Sequence, residues 1–196
     1  MKATNSSEND ITTLPFLKQK DWAEWLRKNH AKSSGVWLRL AKKMSGFPSV
    51  SYGEALEIAL CYGWIDGQKK SYDQSWWLQK FTPRGAKSIW SKINKAKAEE
   101  LIKNERMKPG GLEAVERARR DGRWDAAYDS PSGATVPADF QARLNKSAKA
   151  KAFFATLDSA NRYAILFRIQ TAKKAETRAR RIEQFIQMLE RKEKLH

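Results

Sequence analysis

Every strand-like pattern in this chain lies before residue 83, and everything from Gly85 onward reads as helix or loop. That segregation predicts an α+β protein: a small antiparallel sheet with packed helices, followed by a C-terminal helical bundle. "GVWLRLAKK" alternates strictly, with Val36, Leu38 and Leu40 facing one way and Trp37 and Arg39 the other, which reads as a strand with one buried face. Two further runs, 64–70 and 75–82, are joined through Ser71 to Gln74 and predict an antiparallel hairpin that Pro83 stops, because proline has no N–H to give to a ladder.

Helices fill the rest. "KDWAEWLRKNH" sets Trp22, Trp25, Leu26 and Asn29 at helical spacing, with Asp21 and Glu24 reading as a capping box. "SYGEALEIALCYG" offers a second box at Ser51 and Glu54, a buried stripe of Leu56, Ala59 and Leu60, and Gly63 as its end. A long helix is expected from Gly85 to about Met107, with Trp90, Ile93 and Leu101 on one arc. "PGG" at 109–111 punctuates it, and another helix covers 112–121. The Pro-, Gly- and Ser-rich stretch near residue 132 marks a domain boundary, giving a polar tail over 1–14, an α+β domain over 15–132 and a helical domain over 133–196. In the last of these, Phe140 and Leu144, then Phe153, Phe154 and Leu157, then Tyr163, Leu166 and Ile169 mark three helices. Ala175, Ala179, Ile182, Phe185 or Ile186, and Leu189 mark a fourth.

Composition narrows the chemistry. A single cysteine, Cys61, excludes an intramolecular disulfide, and with two histidines, His30 and His196, no metal site and no cofactor are expected. Cys61 reads as a small core residue and His30 as a charge at the end of the first helix. The opening stretch carries no apolar run of the kind a secretory signal needs, and no 18 consecutive apolar residues occur, so a cytoplasmic protein without a transmembrane segment is expected. The net charge of +16 favours polyanionic partners: nucleic acid, anionic lipid or an acidic protein.

The stretch "YGWIDGQKKSYDQSWWLQKFTPRGAKSIWSKIN" holds four of the eight tryptophans and the densest set of candidate site residues. Trp64 and Asp66 project from one face of a regular strand, and Arg84 follows the second strand. Two readings stand. One is a ligand pocket with an aromatic wall, a carboxylate and a guanidinium; the other is an Asp66–Arg84 pair that pins the hairpin to the next helix. "RGAKS" opens the expected helix, so its free N–H groups with Arg84, Lys87 and Ser88 are candidates for holding a phosphate or carboxylate, with Trp90 beside them; Ser88 or Ser91 as a simple N-cap is the alternative. No Ser–His–Asp set can be assembled, no catalytic residue is assigned, and Asp66 with Asp73 is the only carboxylate pair to consider for acid–base work. A basic set at Lys146, Lys149, Lys151, Arg178, Arg180 and Arg181 is a candidate track for a phosphate backbone, without interleaved exposed aromatics. As a solvated face it includes an ordinary Glu176–Arg180 pair. "GRWDAAY" is expected to fill a gap between helices and sheet by packing.

"GWIDG", "FTPR", "S.WS..N", "GRWDAAY" and "KKAETRARRI", in that order, resemble the YdeI/OmpD-associated or bacteriocin-protection family over about residues 20–192. The resemblance implies a small helical domain from about Phe140 and a role in resistance to bacteriocins, antimicrobial peptides or envelope stress. It implies no catalytic residue and no cofactor, so a non-catalytic protein acting by binding is expected. The family's porin link implies an envelope location, from which the expected cytoplasmic location departs. The ligand is expected to be an anionic small molecule or an acidic protein. The alternatives are nucleic acid on the C-terminal helices, and a small-molecule enzyme centred on Asp66.

Overall fold

The computed structural model describes residues 11–196. Among these residues lie eight helices and four strands, an α+β composition divided into two compact units. The first holds the described chain up to Ser88 together with Asn94–Trp124; the second holds Ile89–Ile93 and Asp125–His196. Residues 125–132, read from sequence as the end of the first domain, are thus counted with the second unit.

In the first unit β1 (Thr13–Pro15), α1 (Gln19–Asn29), β2 (Val36–Ala41), α2 (Tyr52–Cys61), β3 (Trp64–Ser71) and β4 (Trp76–Pro83) build a sheet of order β1-β2-β4-β3. β2, β4 and β3 are antiparallel, but β1 runs parallel to β2, with Leu14 opposite Leu38, so the sheet is mixed rather than wholly antiparallel. Thr13 and Leu14 of β1 fall in the expected tail, whose residues 1–10 lie outside the described residues. Three residues show no alternation of their own; β1 exists because the edge of β2 offers partners, as where Trp37 N–H donates to Thr12 O at 3.0 Å.

The core of this unit is aromatic. Trp22 of α1 is fully buried; its ring stacks on Trp25 at 5.4 Å and meets Phe81 at 5.7 Å and Trp64 edge-on at 6.4 Å. Its indole N–H donates to Ala55 O at 3.0 Å, joining α1 to α2. The expected Ser51–Glu54 capping box is present: Glu54 N–H donates to Ser51 Oγ at 3.3 Å, and Ser51 N–H donates to the Glu54 carboxylate at 2.8 Å. The Asp21–Glu24 box is not, because α1 begins at Gln19 and puts Asp21 inside the first turn, where Glu24 instead pairs with Arg27 and Lys28. Those two cations hold the Glu24 carboxyl at about 2. Gly63 ends α2 at φ +75°.

The hairpin forms as expected, with a register shift between Asp66 and Lys69 that the buried Gln79 fills by donating to Gly67 O and Gln68 O. After it the chain departs from the helix expected there. No helix begins at Gly85: Arg84 N–H donates to Gly63 O at 2.9 Å, residues 85–88 make a turn, and α3 spans Lys92–Lys103 with Ile93 exposed. "PGG" does not separate helices either; Pro109 is the first residue of α4 (Pro109–Arg120), where its missing N–H costs nothing.

The second unit contains α5 (Ala138–Asn145), α6 (Ala148–Thr156), α7 (Ser159–Gln170) and α8 (Ala175–Glu190), at the positions the apolar periodicity predicts. Phe140, Leu144, Phe154, Ile165, Ile169, Ile182 and Leu189 form its core, with Phe140 and Phe154 edge-on at 5.5 Å. Residues 89–93 join this unit through paired backbone bonds between Trp90 and Tyr128 and between Lys92 and Tyr128. Asp129 adds to the link: Lys92 Nζ lies 2.6 Å from one carboxylate oxygen, and Gln170 Nε2 donates to the other at 2.8 Å. The Lys92 hydrogen bond holds the Asp129 carboxyl below its usual range. A depressed carboxylate pKa contributes stability above the unfolded value, about 4, and that contribution is lost as pH falls through the lower folded value. Asp129→Asn should therefore cost about 1–2 kcal/mol at pH 7 and flatten the loss of stability below pH 4. Urea unfolding at pH 7 and pH 3 measures both; an unchanged pH dependence would remove Asp129 from the account.

Candidate binding surface on the sheet

The residues chosen from sequence occupy unlike environments. Trp64 is buried, and its indole N–H donates to His30 O at 3.1 Å, tying the start of β3 to the end of α1. Asp66 lies half-buried opposite Phe81 in the hairpin, and takes a hydrogen bond of 2.8 Å from Tyr52 Oη. Arg84 is 6% exposed, and its carbonyl accepts from Arg117 Nη2 at 3.4 Å. Lys87 is exposed and Ser88 half-buried in the 85–88 turn, where Ser88 O accepts a short bond from Arg123 Nη1. Trp90 is buried and belongs to the second unit. Asp73 closes the hairpin turn: its carboxylate accepts from Ser75 N–H at 2.7 Å and Trp76 N–H at 2.8 Å. Cys61 is buried, and burial pushes its thiol pKa up, away from nucleophilic character.

In the second unit, Arg178 is held by Asp139 at 2.6 and 2.9 Å and donates to Ile169 O; Arg181 donates to Arg168 O. Lys146, Lys149, Lys151 and Arg180 are exposed. Arg178 holds the Asp139 carboxyl below its ordinary range, as expected for a charge-assisted pair. Trp124 fulfils a packing role: it is buried beneath Lys95 and Arg119, each 5.3 Å from its ring.

A different group comes together on the face of the sheet opposite Trp22. Register fixes it. Trp37 pairs with Lys80, Arg39 with Leu78 and Ala41 with Trp76, while Lys70 pairs with Leu78 from the other side, so these side chains share one face. Lys70 Nζ sits 4.6 Å and Lys80 Nζ 5.8 Å from the Trp37 ring centre. Arg39 lies 4.7 Å from the Trp76 ring, and Phe47, 54% exposed, stacks on Trp76 at 5.4 Å. Arg39 Nε is buried and has no hydrogen-bond acceptor among the described residues. The outward positions of the four strands carry no Asp or Glu. In the sequence alone Trp37 and Arg39 are only the far side of one strand. The signal was the same alternation in Trp76, Leu78 and Lys80, legible once register is known.

Among the described residues no group of three or more His, Cys, Asp or Glu is placed to hold a metal ion, and no helix is long and apolar enough to cross a membrane. Two family models match the chain. Residues 14–114 match the one described as "Domain of unknown function (DUF8412)", and residues 133–192 match the one described as "Bacteriocin-protection, YdeI or OmpD-Associated". The expected family is therefore found over the C-terminal part alone. "GWIDG", "FTPR" and "S.WS..N" fall within the other model's range. No curated protein and no solved structure matches the chain.

Proposed function

Because the chain belongs to the DUF8412 family over residues 14–114 and carries a YdeI or OmpD-associated domain at 133–192, we propose that it is a cytoplasmic, non-catalytic protein acting by binding in resistance to bacteriocins, antimicrobial peptides or related envelope stress. The partner in this reading is anionic. One observation carries that choice: Arg39, Lys70 and Lys80 stand over aromatic rings on a single sheet face whose strand positions include no carboxylate. A cation resting on an indole keeps its charge while shedding part of its water, which lowers the cost of meeting an anion. The +16 net charge would also draw such a partner in at long range.

Two arms test the reading. In vitro, inorganic polyphosphate should bind at low salt, and the double variant Lys70→Gln/Lys80→Gln should bind it roughly 5- to 30-fold more weakly. In cells, removing the chain should raise sensitivity to a cationic antimicrobial peptide, and wild type should restore resistance where the double variant does not. Full restoration by the double variant would overturn the assignment to this face.

A further inference from the structure

The geometry points to single-stranded nucleic acid as the partner of the outer sheet face, with a base stacking on the open side of Phe47, which is itself backed by Trp76, and the phosphates running past Arg39, Lys70 and Lys80. This inference rests on the anion-binding reading of the same face and names the anion. A surface built only to attract phosphate needs cations. This one sets them over the rings of Trp37 and Trp76 and adds one open ring, Phe47. Arg39, Trp76 and Phe47 make a run of three planar groups ending in a phenyl ring that is more than half exposed. Set on a cationic face, that open ring offers a base a flat surface to stack on. Single-strand binders combine exposed rings with a cationic groove that tracks the backbone.

Spacing agrees. From Trp37 to Ala41, the residue opposite Trp76, β2 climbs four residues, roughly 13 Å at the usual strand rise. Lys70 and Lys80 therefore sit at one end of the platform and the Phe47–Trp76 stack at the other. Lys42 and Lys43 follow β2 at the stacked end and are exposed. A duplex hides its base faces and gains only the phosphate contacts; a free polyphosphate gains the same. Only an unpaired base can stack on Phe47.

The test is fluorescence anisotropy with a labelled 12-nucleotide oligo-dT, a 12-base-pair duplex and inorganic polyphosphate as competitor, each across a salt series. The intact chain should bind oligo-dT more tightly than duplex at equal salt. Phe47→Ala should weaken oligo-dT by roughly tenfold, as for one lost base stack, and leave polyphosphate within about twofold. Lys80→Gln should weaken both and reduce the salt slope on oligo-dT by about 0.7 for one phosphate contact. Thermal melts check that each variant folds; Phe47 lies half-exposed on a loop, so its truncation should lower the melt only by the loss of one ring contact with Trp76. Equal affinity for oligo-dT and duplex, or a Phe47→Ala protein that binds oligo-dT as wild type does, overturns the single-strand inference while leaving the anion-binding reading intact. Failure of every polyanion to bind at low salt overturns both. Oligo-dT binding lost in Lys149→Gln/Lys151→Gln but kept in Phe47→Ala would move the partner to the helical unit and also defeat the inference.

Discussion

Gly63→Ala will destabilise the first unit by roughly 2–5 kcal/mol. Two independent costs produce that figure. Gly63 sits at φ +75°, where a side chain adds about 1–2 kcal/mol of backbone strain. A Cβ at this position would also lie 2.4 Å from Gly110 O and 2.9 Å from Gly110 C, atoms of the α4 backbone that no rotamer change can move aside. Separating the elements to relieve that overlap costs about 1–3 kcal/mol more in lost packing. The same approach is seen from the other partner: a Cβ on Gly111 would lie 2.3 Å from Cys61 O. Gly63, Gly110 and Gly111 are thus the residues that let the end of α2 touch the start of α4, where Lys108 N–H donates to Cys61 O at 3.0 Å. Gly53 is the control. It lies in the first turn of α2 with nothing within 4 Å of an added Cβ, so Gly53→Ala should stabilise by about 0.5 kcal/mol. Seven of the eight tryptophans lie in this unit, so urea unfolding followed by fluorescence reads both variants directly. A Gly63→Ala midpoint equal to wild type would mean that α2 and α4 do not approach as closely as described.

The glycines also show which parts of the fold could be read from sequence. Gly63 was legible as a helix end, because that role depends on its own neighbours. Its contact with Gly110 was not, because the two are brought together only by packing. The same division runs through the chain. The Ser51–Glu54 box, the hairpin and the apolar faces of α5 to α8 are local patterns, and each appears where periodicity puts it. β1 carries no pattern in its three residues and is made by pairing with β2. Residues 85–91 precede α3 and share with it the helical spacing of Trp90, Ile93 and Leu101. Backbone bonds from Arg84 to Gly63 and from Tyr128 to Trp90 hold that segment in a non-helical path. The candidate site divides likewise. Asp66 was legible as a hairpin carboxylate, whereas its partner Tyr52 comes from another element 14 residues away. Trp37, Arg39, Lys70, Lys80 and Trp76 share a face only through a register that includes a bulge.

Trp22→Ala should cost the first unit about 3–5 kcal/mol, the usual result of emptying a buried aromatic site. The loss comprises contacts to Trp25, Phe81 and Trp64 and the bond to Ala55 O that couples α1 to α2. Trp22→Phe separates these. It keeps most of the ring and loses the N–H, so it should cost roughly 1–2 kcal/mol. The variant also distinguishes the two faces of the sheet. Phe81 and Trp64 face Trp22, while Lys80, one residue away from Phe81, points to the opposite side and lies over Trp37. Below its melting temperature, then, Trp22→Phe should bind oligo-dT and polyphosphate as wild type does, although it unfolds at lower urea. Phe47→Ala should show the reverse: a loss of stability of no more than about 1 kcal/mol, from its contact with Trp76, and weaker oligo-dT binding. If Trp22→Phe weakens binding in proportion to its lost stability while still fully folded, the ligand is not held by the outer face. The partner would then have to reach the aromatic interior around α1, and Arg39, Lys70 and Lys80 would be ordinary surface cations.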